Sequence, residues 1–334
     1  MLKFFLLVFA SVLALPGHAG LSECIEVEDD AARLSCFDAG VGEIIEPAEP
    51  EVDNDPADLL RKKPFSLLNA RWELEKDLVQ FAFRPYKPVY FMPMFYSTRL
   101  NTQPQTDNPR TSVSAPIELD HLEAKLQLSF KTKLINDIFG NNGDLWMGYT
   151  QASHWQLYNG ANSRPFRETN HEPELMMVWR TDYEVGAFTG RMISVSLTHQ
   201  SNGREEPLSR SWNRVILTLG FDRPDWVLQF RPWIRLPEAS DDEDENPHIV
   251  DYVGRGELLV VHRQGNSHQL AAQFRHSLRA GENFRGSMKL NYSYPCFNRL
   301  RCHAQFFRGY GESLIDYNHL TSSFGVGVAL IEWY

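Results

Sequence analysis

The sequence predicts an all-β protein: a twelve-stranded antiparallel transmembrane barrel of the bacterial outer-membrane type, with a small disulfide-containing N-terminal extension on the periplasmic side. Three observations lead there. From about residue 80 onward, apolar residues recur with period two, the repeat of a strand whose faces differ. The segments so marked number about twelve, an even count, as bacterial single-chain barrels require. The connections between them alternate long and tight, and the chain opens on an export signal.

In that signal, Lys3 precedes an apolar run from Phe4 to Leu15, and Gly17-His18-Ala19 supplies small residues for cleavage after Ala19. Export places the mature chain where paired cysteines become disulfides. The four cysteines divide by proximity into Cys24 with Cys36 and Cys296 with Cys302, although other pairings remain formally open. Their spacing does not suggest zinc. Residues 20–40 read as a disulfide-closed element, and 41–58, rich in Glu, Asp and Pro without Lys or Arg, as a solvated linker. Residues 59–78 suit a short helix with Pro64 near a break. The extension is therefore placed at 20–80 and the barrel at 81–334.

The clearest strand is 121–131, where Leu122, Ala124, Leu126, Leu128 and Phe130 alternate with Glu123, Lys125, Gln127, Ser129 and Lys131. Others fall near 88–97, 144–157, 174–184, 191–202, 212–221, 226–236, 250–263, 268–277, 284–294, 302–310 and 319–334. With the N-terminus periplasmic, the long connections (98–118, 158–173, 203–211, 238–249, 311–318) face outward and the tight ones (185–190, 222–225, 265–266) inward, the asymmetry of membrane barrels. In the last strand Phe324, Val326, Val328, Leu330 and Tyr334 share one face, which suits a terminal aromatic at a membrane interface. A soluble β-sandwich also alternates, but has no reason to gather Trp, Tyr and Phe near strand ends. A net charge of −10 over 334 residues excludes a nucleic-acid binder.

Two apolar faces are interrupted by polar groups. His199 and Ser201 continue the face of Ile193, Val195 and Leu197, and Asn213 continues that of Val215, Leu217 and Leu219. If 203–211 is a hairpin loop, Asn213 lies opposite His199. A serine hydroxyl needs a base, imidazole is the base that titrates nearest neutral pH, and an amide carbonyl can fix its tautomer. The backbone N–H groups of Ser201 and Gly203 are candidates for an oxyanion hole. Because the apolar face points at lipid, the trio belongs on the outside wall near the extracellular rim, placed for a lipid ester. Gln151 and Ser153 likewise interrupt the series Leu145, Met147, Tyr149, Trp155, Leu157, and an amide facing hydrocarbon is costly unless paired. His171 is read as a loop residue with a local hydrogen bond.

The stretch His199-Gln200-Ser201-Asn202-Gly203 followed by Ser209-Arg210-Ser211-Trp212-Asn213-Arg214 resembles the active-site segment of the outer membrane phospholipase A family. So do Ser163-Arg164-Pro165-Phe166-Arg167-Glu168-Thr169-Asn170 with Glu172-Pro173, Tyr149-Thr150-Gln151, and the block from Gly309 to Asn318. The resemblance covers roughly residues 85–334. It implies a serine esterase of the outer membrane that hydrolyses phospholipids and lysophospholipids (A1, A2 and lysophospholipase activity). It also implies Ca2+ held by the Arg204 carbonyl, the Ser209 hydroxyl and Ser163, the last from the partner subunit, and a homodimer in which Gln151 meets its twin. The acidic run Asp241 to Asn246 is a further calcium candidate through Glu245. Glu245 and Glu206 stand where the family carries Asp, which puts any secondary calcium geometry in question. The rival expectations are a catalytically inactive, porin-like barrel with a wide lumen and a soluble secreted esterase.

Overall fold

The computed structural model describes residues 29–35, 65–75, 80–238, 240, 244–265, 267–297 and 300–334. The expected Cys24–Cys36 disulfide, the signal and the acidic linker lie outside them. By internal contacts the chain divides into residues 1–63 and 64–334. In the first, residues 30–35 are helical. The second holds all the strands, and with them the short helix α1 (Leu67–Trp72), although it precedes residue 81.

Twelve strands close into a barrel: β1 (Val89–Ser97), β2 (Leu122–Ile135), β3 (Asp144–Trp155), β4 (Phe166–Val185), β5 (Phe188–Ser201), β6 (Ser211–Arg223), β7 (Trp226–Leu236), β8 (Gly256–Gln264), β9 (His268–His276), β10 (Gly286–Phe297), β11 (Leu300–Gly309) and β12 (Thr321–Ile331). Each pairs antiparallel with its sequence neighbours, and β12 pairs with β1 through Phe324↔Tyr96 and Ala329↔Tyr90. A two-residue bridge, Arg84–Pro85, adds to β2. Closure leaves no free sheet edge, the condition for spanning hydrocarbon with strands. At the seam the chains approach closely: a Cβ on Gly327 would lie 2.1 Å from the Phe91 carbonyl oxygen. Pro93 in β1 has no N–H to give its neighbour, and the β1–β2 register shifts between Met92 and Phe95 to accommodate it.

The alternation sorts inside out. In β2 the charged set is interior, with Lys125 1% and Lys131 0% exposed, while Leu128 is 49% exposed. Met147, Leu175, Leu197, Phe230 and Leu258 continue an exposed apolar belt that matches lipid rather than water. Inside, many of the charges are paired, while the Lys131 ammonium has no hydrogen-bond partner and lies over the Trp72 ring. Lys87 meets Glu174 at 2.7 Å, Arg214 meets Glu172 at 3.1 Å, and Arg275 meets Glu257 at 2.9 Å. Pairing is what makes buried charge tolerable.

At the barrel end that carries the tight β6–β7 turn, the lumen is filled by α1. Ser66 caps it by accepting the Asn69 N–H at 3.0 Å and donates to the Asp222 carboxylate, which also accepts the Leu68 N–H at 3.1 Å. Leu67, Leu68 and Trp72 pack with Trp146, Met176, Met192, Val227 and Leu259. The C-terminus joins them: Trp333 is buried in this cluster, Tyr334 packs against it, and the Tyr334 carbonyl accepts from Gln269 at 2.6 Å. Tyr334 therefore does not share the lipid face expected for it. β12 ends at Ile331, and the last residues turn inward to pack against α1. Phe324 and Leu330 keep the outward face. The β10–β11 hairpin carries the expected disulfide Cys296–Cys302, with Cα atoms 5.5 Å apart.

Candidate active site

Strands β5 and β6 pair in a register that sets His199 opposite Asn213 and Ser201 opposite Ser211. The imidazole Nδ1 of His199 lies 2.9 Å from Asn213 Oδ1. Because Oδ1 only accepts, Nδ1 carries the proton and Nε2 is left with its lone pair. The face is decided by burial along β5: Ser194, Ser196 and Thr198 are 3%, 3% and 0% exposed, whereas Val195 and Leu197 are 40% and 53% exposed. His199 continues the exposed set, and Ser201 follows on the same face half-buried. The sequence-predicted trio thus gathers at one place on the outer wall, at the β5–β6 end away from α1. Among the described residues no hydrogen bond joins His199 to the Ser201 hydroxyl. Such contacts commonly tighten only when substrate is bound.

The loop after Ser201 is built by a residue the sequence reading passed over. Asn202 is buried, and its Nδ2 donates to the Leu208 carbonyl at 2.8 Å and to Glu168 Oε2 at 3.2 Å. Its Oδ1 accepts the backbone N–H groups of Arg210 at 3.0 Å and Arg204 at 3.3 Å. Glu168 in turn accepts from Asn170 at 2.6 Å and from the Ile315 N–H at 3.1 Å, so three segments meet behind the loop. Gly203 takes φ +62°, a conformation that favours glycine, and among the described residues its N–H has no partner. Neither Glu168 nor Asn202 has a local signal, since both act through contacts remote in sequence.

The oxygen-bearing residues expected to hold a cation fall in the outward loops. Ser209 donates its hydroxyl to Glu245 Oε1, and Glu245 Oε2 is buried without a hydrogen-bond partner. Arg204 sits in the same loop as Ser209, and Ser163 in the β3–β4 turn with φ +60°. Glu206 is engaged elsewhere, paired with Arg110 of the β1–β2 loop. Of the acidic run, Asp241 to Glu243 lie outside the described residues. Among those described, no three His, Cys, Asp or Glu side chains gather as a metal centre. A carboxylate oxygen with no partner beside a hydroxyl, in a set of oxygen donors only, fits a hard cation such as calcium.

Beside the trio a polar band crosses the outer wall. Gln151 of β3 pairs with His171 of β4, and His171 pairs with Ser201 of β5. The Tyr149 hydroxyl lies 2.7 Å from His171 Nδ1 and 3.3 Å from Gln151 Oε1. Gln151 Nε2 donates to Ser153 at 3.3 Å, and Thr169 donates to Ser153 at 3.1 Å. His171 is thus a strand residue, not a loop residue. β4 begins at Phe166, eight residues before the expected start, because its polar first half shows no alternation.

Comparison with known proteins identifies the family to which this barrel is similar. A family model described as Phospholipase A1 matches residues 68–330. A putative phospholipase A1 of Neisseria meningitidis is 34% identical over 92% of this chain and 89% of its own length. The phospholipase A1 of Escherichia coli K12 is 39% identical over 62% of this chain and 69% of its own. Among solved structures, the calcium-bound dimer of Salmonella typhi outer membrane phospholipase superposes with a TM-score of 0.67 at 34% identity, covering 76% of this chain and 94% of that one. The outer membrane phospholipase A of Escherichia coli gives 0.66 at 33% identity, over 75% and 95%.

Proposed function

This chain belongs to the phospholipase A1 family, and from that premise we propose that it is a calcium-dependent serine hydrolase of membrane lipids, acting from the lipid-facing wall of its barrel. The substrates are the acyl esters of phospholipids, at either glycerol position, and of lysophospholipids. The observation that carries the reading is the His199–Asn213 hydrogen bond on the exposed apolar face, two residues from Ser201.

In the proposed reaction His199 Nε2 takes the Ser201 proton as Oγ adds to the ester carbonyl, and Asn213 holds the ring in the tautomer that allows it. The tetrahedral intermediate collapses with departure of the glycerol oxygen, which receives that proton from His199. A water molecule, deprotonated by the same imidazole, then releases the fatty acid from Ser201. The Gly203 and Ser201 N–H groups face the developing oxyanion. Asn213 being neutral, it orients the ring while adding less charge stabilisation than a carboxylate would. Calcium, held by Ser209, the Arg204 carbonyl and Ser163 of a partner copy, with Glu245 beside Ser209, would supply positive charge near that oxygen.

The site opens sideways to hydrocarbon, toward the outer leaflet, so the ester arrives by lateral diffusion in the membrane. Gln151, an amide on the same wall with Tyr149 and Ser153 as local partners, meets its twin in a homodimer, which covers this polar patch from lipid. A solute-conducting barrel finds no support, since the interior is crossed by ion pairs such as Lys87–Glu174 and Arg275–Glu257 and is filled at one end by α1. The test is phospholipid hydrolysis by detergent-folded protein with and without calcium, beside Ser201→Ala. Turnover that requires both calcium and Ser201 supports the reading; turnover retained in Ser201→Ala removes the nucleophile.

A further inference from the structure

We infer that the barrel lumen holds a binding site for a small inorganic oxyanion, of the size and charge of sulfate or phosphate, between Arg214, Arg275 and Lys289; the inference does not depend on the esterase reading above. It begins from an imbalance among the ion pairs of the lumen. Glu172 is shared by Lys87 and Arg214, Glu174 by Lys87 and Arg231, Glu257 by Arg231 and Arg275, and Glu312 by Lys125 and Lys289. Six cations thus divide four carboxylates, an excess of two positive charges inside a wall that faces lipid. Surplus charge in such surroundings is costly unless a counter-ion meets it.

Three of the six cations have donors to spare, and they line one cavity. That chamber, of about 120 Å³, is bounded by Arg214, Arg275 and Lys289, by Lys87 and Arg231, and by the carboxylates of Glu172, Glu257 and Glu312, each already ion-paired. Among the described residues the Lys289 ammonium makes no hydrogen bond, its approach to Glu312 being 3.8 Å. Arg275 bonds only through Nε, to Glu257 at 2.9 Å. Arg214 bonds only through one terminal nitrogen, and its Nε is buried without a partner. Arg275 faces Ser287 across β9 and β10, so Lys289 is its diagonal neighbour, with Cα atoms about 7–8 Å apart. Arg275 is also within electrostatic reach of both Arg214 and Lys289, and these like charges repel until an anion comes between them. Two planar guanidinium groups and one ammonium suit the several oxygens of a tetrahedral anion. A water needs only about 10–15 Å³ of such space, so the chamber has room for an ion of that size. The strands separate it from lipid, which makes the ligand a free anion and not a headgroup.

The experiment is equilibrium dialysis of the protein, folded in a non-ionic detergent, against radiolabelled sulfate, with ionic strength held constant by gluconate. The wild type binds one sulfate per chain, and inorganic phosphate displaces it. Lys289→Gln and Arg275→Gln each bind about tenfold more weakly, the loss of one charge-assisted contact. A second measurement is thermal. The midpoint of the heat-induced gel-mobility shift rises by roughly 3 °C for each tenfold increase in sulfate in the wild type, and stays constant in Lys289→Gln. Because Lys289 makes no hydrogen bond among the described residues, its variant keeps the fold even where Arg275→Gln, which takes a partner from Glu257, does not. No sulfate bound by the wild type, or equal binding by the wild type and Lys289→Gln, overturns the inference.

Discussion

The side-chain carbonyl of Asn202 accepts the backbone N–H of Arg210 at 3.0 Å, closing the loop that follows Ser201 back on itself. Asn202→Ala removes this contact and leaves the Leu208 carbonyl and one Glu168 oxygen short of a partner. Each orphaned buried group costs about 1–3 kcal/mol, felt by the loop rather than the barrel. A displacement of about 1 Å at Gly203 lowers turnover by roughly 10²-fold. Calcium titrations and kcat, measured with a detergent-folded variant whose gel mobility is normal, check this; wild-type kcat at saturating calcium counts against it.

Ser209 of the β5–β6 loop and Glu245 of the β7–β8 loop share a hydrogen bond at the proposed calcium site. Ser209→Ala and Glu245→Gln should each raise the calcium concentration for half-maximal activity, by roughly tenfold where about 1.4 kcal/mol of binding is lost. The maximal rate at saturating calcium should fall less. Removing calcium from the wild type with a chelator should reduce hydrolysis to the level of Ser201→Ala.

Gln151 faces lipid with Tyr149 and Ser153 as its local partners. Gln151→Leu should decrease the crosslinked dimer and, with it, turnover and apparent calcium affinity, while leaving the barrel's thermal stability unchanged or higher. Chemical crosslinking in micelles, run beside hydrolysis, decides it. All three properties at wild-type level would remove the dimer role.

Glu312, on the loop between β11 and β12, pairs with Lys125 and lies 3.8 Å from Lys289. Burial alone would push its carboxyl up, but the two ammonium groups more than offset that and hold it below the usual carboxylate value. A carboxylate with a depressed folded pKa contributes stability in full above its unfolded value of about 4.3, and loses it as pH falls through the folded value. Glu312→Gln leaves Lys125 buried without its counter-charge and should cost about 3–5 kcal/mol at neutral pH. The gap between variant and wild type should narrow on acidification below pH ~4. Urea unfolding in lipid vesicles at both pH values measures it.

Most of the barrel was legible because lipid outside and charge inside impose alternation; β2 shows this best, with its lysines interior and Leu128 exposed. The trio was legible for the same reason, since His199, Ser201 and Asn213 interrupt an otherwise apolar face. The first half of β4 was not: Glu168, Asn170, Glu172 and Glu174 point to the lumen while Thr169, His171 and Pro173 face outward, so no apolar period exists to read. Tyr334 was misplaced because the alternation does not reveal where β12 stops and the chain turns toward α1. Asn202 and Glu168 were missed because their meaning comes from a contact spanning 34 residues of sequence.

The central claim is that Ser201, activated by His199 on the outer wall, becomes covalently acylated. Mass spectrometry of the detergent-folded protein after exposure to a long-chain alkyl fluorophosphonate, with calcium present, tests it most directly. The account predicts one adduct on Ser201, absent in Ser201→Ala and strongly slowed in His199→Ala. An adduct on another residue, or hydrolysis that proceeds while Ser201 stays unmodified, would contradict it.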